Sequence, residues 1–111
     1  MSGTDLLGEF EQVVLLAVLQ HRDGAYALPV RRSIEDATDR SVSRGALYRT
    51  LDRMEGKGLV ESEFEEPTAG RGGNPRKRYE VTAEGVAELQ RSRSVVRRLS
   101  RGLEELLEGG R

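Results

Sequence analysis

The sequence predicts a mainly α fold with one small β-hairpin (α+β). Three observations predict it. Residues up to Lys57 hold one segment apolar all round and two whose apolar residues recur at helical spacing. Two alternating segments follow, separated by the nine-residue stretch PTAGRGGNP. The chain then closes on a long segment in which Leu89, Val96, Leu99, Leu103 and Leu106 recur at spacings of seven, three, four and three.

The first helix is expected over residues 5–21, with Thr4 or Asp5 as its N-cap. Its stretch Phe10, Val13, Val14, Leu15, Leu16, Ala17, Val18, Leu19 is apolar all round, so it must be covered on more than one face. In so small a chain the second face, which includes Phe10 and Val14, is expected to meet another subunit. Neighbouring helices of the same chain are the alternative. His21-Arg22-Asp23-Gly24 is a turn signal. The second helix is expected from Leu28 to Thr38, with Pro29 in the first turn and Val30, Ile34 and Ala37 facing inward.

The third helix is expected from a Ser43 cap to Lys57. Leu47, Leu51 and Met54 share one narrow face. At about 100° per residue, Gly45, Arg49, Asp52, Arg53 and Gly56 fall opposite, with Arg44 and Tyr48 flanking them. Gly58 stands where a helix end favours a left-handed residue. A strand over Leu59–Glu66 puts Val60 and Phe64 on one side and Glu61, Glu63 and Glu65 on the other. A second strand, Arg76–Thr82, turns Tyr79 and Val81 inward. A final helix is expected from a Thr82 cap to Leu107, its apolar seam interrupted by Ser92.

Helix, helix, helix, hairpin with a long Gly-rich tip, long helix: this is the order of a winged helix-turn-helix with a C-terminal dimerisation helix. The expected division is residues 1–82 for the winged helix-turn-helix, 83–108 for the dimerisation helix and 109–111 for a flexible tail. Leu89, Val96, Leu99, Leu103 and Leu106, with Phe10 and Val14, are the candidate dimerisation residues.

Composition narrows the function. The 111 residues contain no cysteine and one histidine, which excludes disulfides, thiolate chemistry and a His-rich metal cage. No apolar run reaches the roughly 18 residues of a membrane span, and the N-terminus is acidic where a signal peptide is basic, so a soluble cytoplasmic protein is expected. No cofactor motif, paired catalytic carboxylate or nucleophile elbow points to an enzyme. The net charge of −1 is unlike a typical nucleic-acid binder, but the charge is unevenly placed. Residues 40–58 hold five basic residues against two acidic ones, and residues 70–78 hold four basic residues and no acid.

The first basic segment is the solvent face of the third helix, where Arg44, Tyr48, Arg49 and Arg53 are of the types that contact phosphates and base edges in a major groove. Ser43 caps it. The second is the hairpin tip, GRGGNPRKR, where Arg71, Asn74, Arg76 and Lys77 combine positive charge with flexible backbone. A nucleotide-binding loop would join a strand to a helix, and this stretch joins two strands. Double-stranded DNA is therefore the expected partner. A winged-helix protein-interaction module without DNA binding is the alternative, motivated by the near-neutral charge and the run of glutamates.

The blocks GALYRTLDRMEGKGLV and RKRYEVTAEGVAEL, with the opening FEQVVLLAVL and GAYALPVRRSIEDAT, resemble the PadR family of bacterial transcriptional regulators over residues 8–90. That resemblance implies a homodimer on a pseudo-palindromic operator, repressing a nearby gene. It puts Ser43, Tyr48 and Arg49 in the recognition-helix motif, and Arg76, Lys77 and Tyr79 on the returning strand of the wing. Arg44 stands where the family often has Pro, and Ala27 where it often has Gly. Some members take flat aromatic ligands between subunits using Trp. This chain has no Trp, which speaks against that pocket and leaves any small-molecule effector unidentified.

Overall fold

In the computed structural model the described residues are 6–22, 24–66 and 76–109. The element order is α1 (Glu9–Gln20), β1 (Ala25–Tyr26), α2 (Ala27–Thr38), α3 (Arg44–Gly56), β2 (Val60–Glu65), β3 (Arg76–Val81), α4 (Ala83–Ser100) and α5 (Glu104–Glu108). The three strands form one antiparallel sheet in the order β1-β3-β2. The α+β class holds, with one strand more than expected. A two-residue strand is too short to carry a period, and β1 exists because Ala25 and Tyr26 pair with Tyr79 and Arg78.

Helix α1 begins later than its apolar pattern predicts. Gly8 is the N-cap, in extended conformation, and its N–H donates to Glu11 Oε1 at 2.9 Å. The expected caps, Thr4 and Asp5, lie outside the described residues. Val14 and Leu15 are wholly buried, and with Val18 they meet Val30 and Ile34 of α2 and Leu47, Leu51 and Met54 of α3 in one core. Burying each such side chain contributes about 1.5–3 kcal/mol. This corrects the expectation for Val14: neighbours in its own chain enclose it, so it offers nothing to a second subunit.

In α2, Val30 and Ile34 face inward as expected, but Ala37 is exposed because the helix leaves the core in its last turn. Asp39 ends α2 in the left-handed region, at φ 56°. The turn into α3 is braced by Glu35, whose Oε2 accepts the Val42 N–H at 2.7 Å. Ser43 caps α3, its hydroxyl accepting the Ala46 N–H at 3.0 Å. Leu47, Thr50, Leu51 and Met54 form the buried face. Gly58, at φ 79°, turns the chain into β2.

Strands β2 and β3 pair from Val60↔Val81 out to Glu65↔Arg76. Val60 and Phe64 share a face, yet Val60 is buried and Phe64 is exposed, since the hairpin runs beyond the core. Thr82 joins hairpin to α4: its hydroxyl donates to the Gly58 carbonyl at 2.7 Å and accepts the Gly85 N–H at 3.0 Å.

The C-terminal helix departs most from expectation. It runs only to Ser100. Gly102 takes a left-handed φ of 86°, and a separate short helix, α5, follows. The seam is therefore not one continuous stripe. Its first position, Leu89, is buried in the core of its own chain, which corrects its assignment to the dimer surface. Ser92 is no flaw in the packing: it is wholly buried, and its Oγ accepts the Leu7 N–H at 3.0 Å, tying the start of the chain to α4. Only the distal residues Val96, Leu99, Leu103 and Leu106 stay exposed, with Leu107 beside them.

Candidate nucleic-acid interface

The interface starts from the way α3 is held. Its buried face meets α1 and α2, and its C-terminal half lies against the hairpin, where Ser62 Oγ donates to Glu55 Oε2 at 2.8 Å. The side opposite the core carries Gly45, Arg49, Asp52 and Gly56, all exposed. Arg44 and Tyr48 lie around the helix from these, beside the start of α2, and are exposed too. Among the described residues, neither Arg44 nor Arg49 has an ion-pair partner. The N-terminal turns of α3 thus present two unneutralised guanidinium groups and a phenol to solvent. Ser43 is exposed beside them, with its hydroxyl engaged in the cap.

Arg53 does not join this group. It turns to α1, where its Nε lies 3.2 Å from Glu11 Oε2, and Lys57 Nζ approaches the same oxygen at 3.3 Å. Arg53, expected from the sequence to meet a nucleic acid, has its charge met by Glu11 in the free chain and ties α3 to α1, while its side chain stays half exposed. The Glu11 side chain is largely buried, which pushes its carboxyl up. The Gly8 N–H, Arg53 and Lys57 outweigh burial and hold it below the usual carboxylate value.

Two glycines on the outer face are not demanded by packing. A Cβ on Gly45 would meet only the Arg49 guanidinium, and one on Gly56 would meet nothing. A bare helix surface there lets another backbone come close.

The hairpin divides its basic residues between two faces, because successive residues of a strand point opposite ways. Lys77 is on the face turned to α3, with Nζ 5.5 Å from the Phe64 ring centroid and 5.7 Å from that of Tyr79. Arg76 is on the other face, stacked 3.7 Å above the Tyr26 ring. Tyr26 donates its hydroxyl to Glu65 Oε1 at 2.7 Å, and Glu65 Oε2 lies 3.1 Å from Arg78 Nε. The platform under Arg76 was missed in the sequence because Tyr26 lies in β1, some fifty residues away and without a period of its own. Arg71 and Asn74 lie outside the described residues.

Tyr79 sits between hairpin and α3. Its hydroxyl is buried without a hydrogen-bond partner among the described residues, and its pKa is pushed up to about 12, first by burial and then by the Tyr48, Asp52 and Glu55 side chains. It stays a neutral phenol at physiological pH, which makes it a packing residue of the wing.

Of the candidate dimerisation residues, Val96, Leu99, Leu103 and Leu106 are exposed on α4 and the segment after it. Phe10 is half-buried, on a groove of about 800 Å³ that Val13, Val42 and Ala46 also line. Among the described residues, no three His, Cys, Asp or Glu side chains gather as a metal site, and no helix is long and apolar enough to cross a membrane.

Comparison with known proteins agrees with this architecture. The model of the transcriptional regulator PadR-like family matches residues 15–91. The crystal structure of a PadR family transcriptional regulator from Eggerthella lenta is similar at 30% identity and a TM-score of 0.67, over 90% of this chain and 87% of that one. A PadR-like transcription factor from Bacteroides fragilis is similar at 28% identity and a TM-score of 0.71, over 87% and 88% of the two chains. A PadR-like regulator from Bacillus cereus shares the fold, at 23% identity and a TM-score of 0.70, over 89% and 91%. No curated protein matches the sequence.

Proposed function

The chain belongs to the PadR-like family of transcriptional regulators, and from that premise we propose that it is a homodimeric repressor that reads a pseudo-palindromic operator. The observation that carries the reading is the exposed set Arg44, Tyr48 and Arg49 on the N-terminal half of α3, its arginines without ion-pair partners among the described residues and the helix cleared of bulk at Gly45. In a major groove, Arg49 is suited to guanine O6 and N7, while Arg44 and Tyr48 are suited to the phosphates beside it. Ser43 starts the helix at the groove edge. The wing flanks it, Lys77 toward the helix and Arg76 on the outer face; Arg71 and Asn74, which lie outside the described residues, are proposed as further contacts on the strength of the sequence alone.

Two copies are needed for symmetric reading. The distal seam residues Val96, Leu99, Leu103 and Leu106 are apolar side chains left exposed among the described residues, and on α1 Leu16 is exposed and Phe10 half-buried. Joined there, the two α3 helices enter half-sites about 34 Å apart, one turn of the duplex. Nothing in the chain calls for chemistry on the DNA, and repression follows from occupying the operator.

Selection of bound sites from a random duplex library tests the reading. The expected product is an inverted repeat with half-site centres one helical turn apart. A directly repeated or unsymmetrical motif rejects the paired arrangement, and no enrichment rejects sequence-specific binding. The exposed acidic residues Glu61, Glu63 and Glu80 on the outer sheet face favour a second reading, a protein-interaction module. Failure of the dimer to bind random duplex even at low salt is the result that selects it.

A further inference from the structure

A cleft of about 170 Å³ opens between the start of α2 and the start of α3, lined by Ala27, Leu28, Arg31, Arg44, Leu47 and Tyr48. Two of these side chains are cationic, one is a phenol and none is acidic. Arg31 takes no part in the sequence-based reading of the third helix, because it lies on the preceding one. Its Nε is withdrawn from solvent and has no acceptor among the described residues, and neither it nor Arg44 has an ion-pair partner there. A guanidinium so placed lacks the anion that normally completes it. The apolar walls, Ala27, Leu28 and Leu47, exclude water and strengthen whatever charge pair forms between them.

We propose that this cleft is a seat for one phosphodiester group of the DNA backbone, gripped by Arg31 from α2 and Arg44 from α3, with the Tyr48 hydroxyl as a neutral donor. The proposal rests on the DNA-binding reading above and adds α2 to the contact surface. The two guanidinium groups come from different helices, so a phosphate between them fixes the angle at which α3 enters the groove. Arg31 is a positioning contact: it carries no sequence information, and the register it sets serves the bases that Arg49 meets.

The test measures binding of the full chain to its selected operator and to a random duplex of equal length, across a salt series. Arg31→Gln should weaken both by a similar factor, about tenfold, as expected for a lost charge-assisted hydrogen bond. It should lower the salt slope by roughly 1. Thermal melting of the variant checks that it folds. A second arm needs no variant: operators in which single phosphates are replaced by neutral methylphosphonates should show one position per half-site whose replacement weakens the wild type, and the same replacement should weaken Arg31→Gln by a smaller factor, since only the Arg44 and Tyr48 contacts remain to be lost there. An unchanged slope in a folded Arg31→Gln, a loss confined to the operator, or no sensitive phosphate in the methylphosphonate series overturns the proposal. If the wild type enriches an inverted repeat while those results are obtained, the cleft assignment alone fails. If the wild type binds no duplex, the DNA-binding reading itself has failed.

Discussion

Glu11 of α1 and Arg53 of α3 are 42 residues apart in sequence and 3.2 Å apart in space, Oε2 to Nε. The contact decides what the third helix offers to solvent. One of the arginines its pattern places outside is drawn back to α1, and the free positive charge is concentrated at the N-terminal end, on Arg44 and Arg49.

Removing that contact should cost stability before it costs recognition. Glu11→Gln is expected to lower unfolding free energy by about 1 kcal/mol, a modest value because Arg53 and Lys57 are each half exposed and screened. The Glu11 carboxyl is held below its ordinary 4.5 in the folded chain. Its contribution is therefore complete above the ordinary carboxylate value and disappears as pH falls through the lowered one. Urea unfolding should separate wild type from Glu11→Gln at neutral pH, and the gap should shrink as pH falls below the ordinary carboxylate value. A constant gap across that range contradicts the assignment.

Two glycines should respond to alanine in opposite directions. A Cβ at Gly85 would run into the Leu59 carbonyl oxygen and the Val81 side chain, so Gly85→Ala should destabilise by about 1–3 kcal/mol as α4 is pushed off the hairpin. Gly56 has open space around it, and Gly56→Ala should stabilise by up to about 1 kcal/mol through helix propensity. Denaturant midpoints of the two variants check the pair.

On DNA, Arg49→Ala should weaken operator binding by about 1–3 kcal/mol while leaving random duplex much less affected. Lys77→Ala should weaken both evenly and flatten the salt dependence. Arg53→Ala should change the melting temperature more than the preference for operator. Anisotropy titrations at two salt concentrations distinguish the three.

Leu99→Asp should split the dimer, because Leu99 is 76% exposed in the single chain and lies in the middle of the exposed seam. Sedimentation at micromolar concentration should give a folded monomer for the variant and a dimer for the wild type. A dimeric variant moves the interface elsewhere.

Much of the fold was legible because it is local. Ser43 before an amphipathic run and Gly58 after it mark α3 by capping and left-handed turn preference, and both occupy those roles. The alternation of Val60 to Glu65 gave the hairpin its faces. What escaped is contact between distant segments: β1 against β3, Ser92 against Leu7, Tyr26 beneath Arg76, and Arg31 beside Arg44. A helix apolar all round, as α1 is, must be covered on more than one face, but its pattern does not say that Val14 is enclosed by its own chain. Gly102 was legible in principle. A glycine inside a long helical pattern is a candidate break, and here the leucine spacing continued across it and masked the signal.

The most direct measurement repeats the random-library selection with Arg49→Ala. If paired α3 helices read the bases, the wild-type motif is an inverted repeat, and the variant loses its preference at one position in each half, symmetrically about the centre. An Arg49→Ala motif identical to that of the wild type contradicts the account.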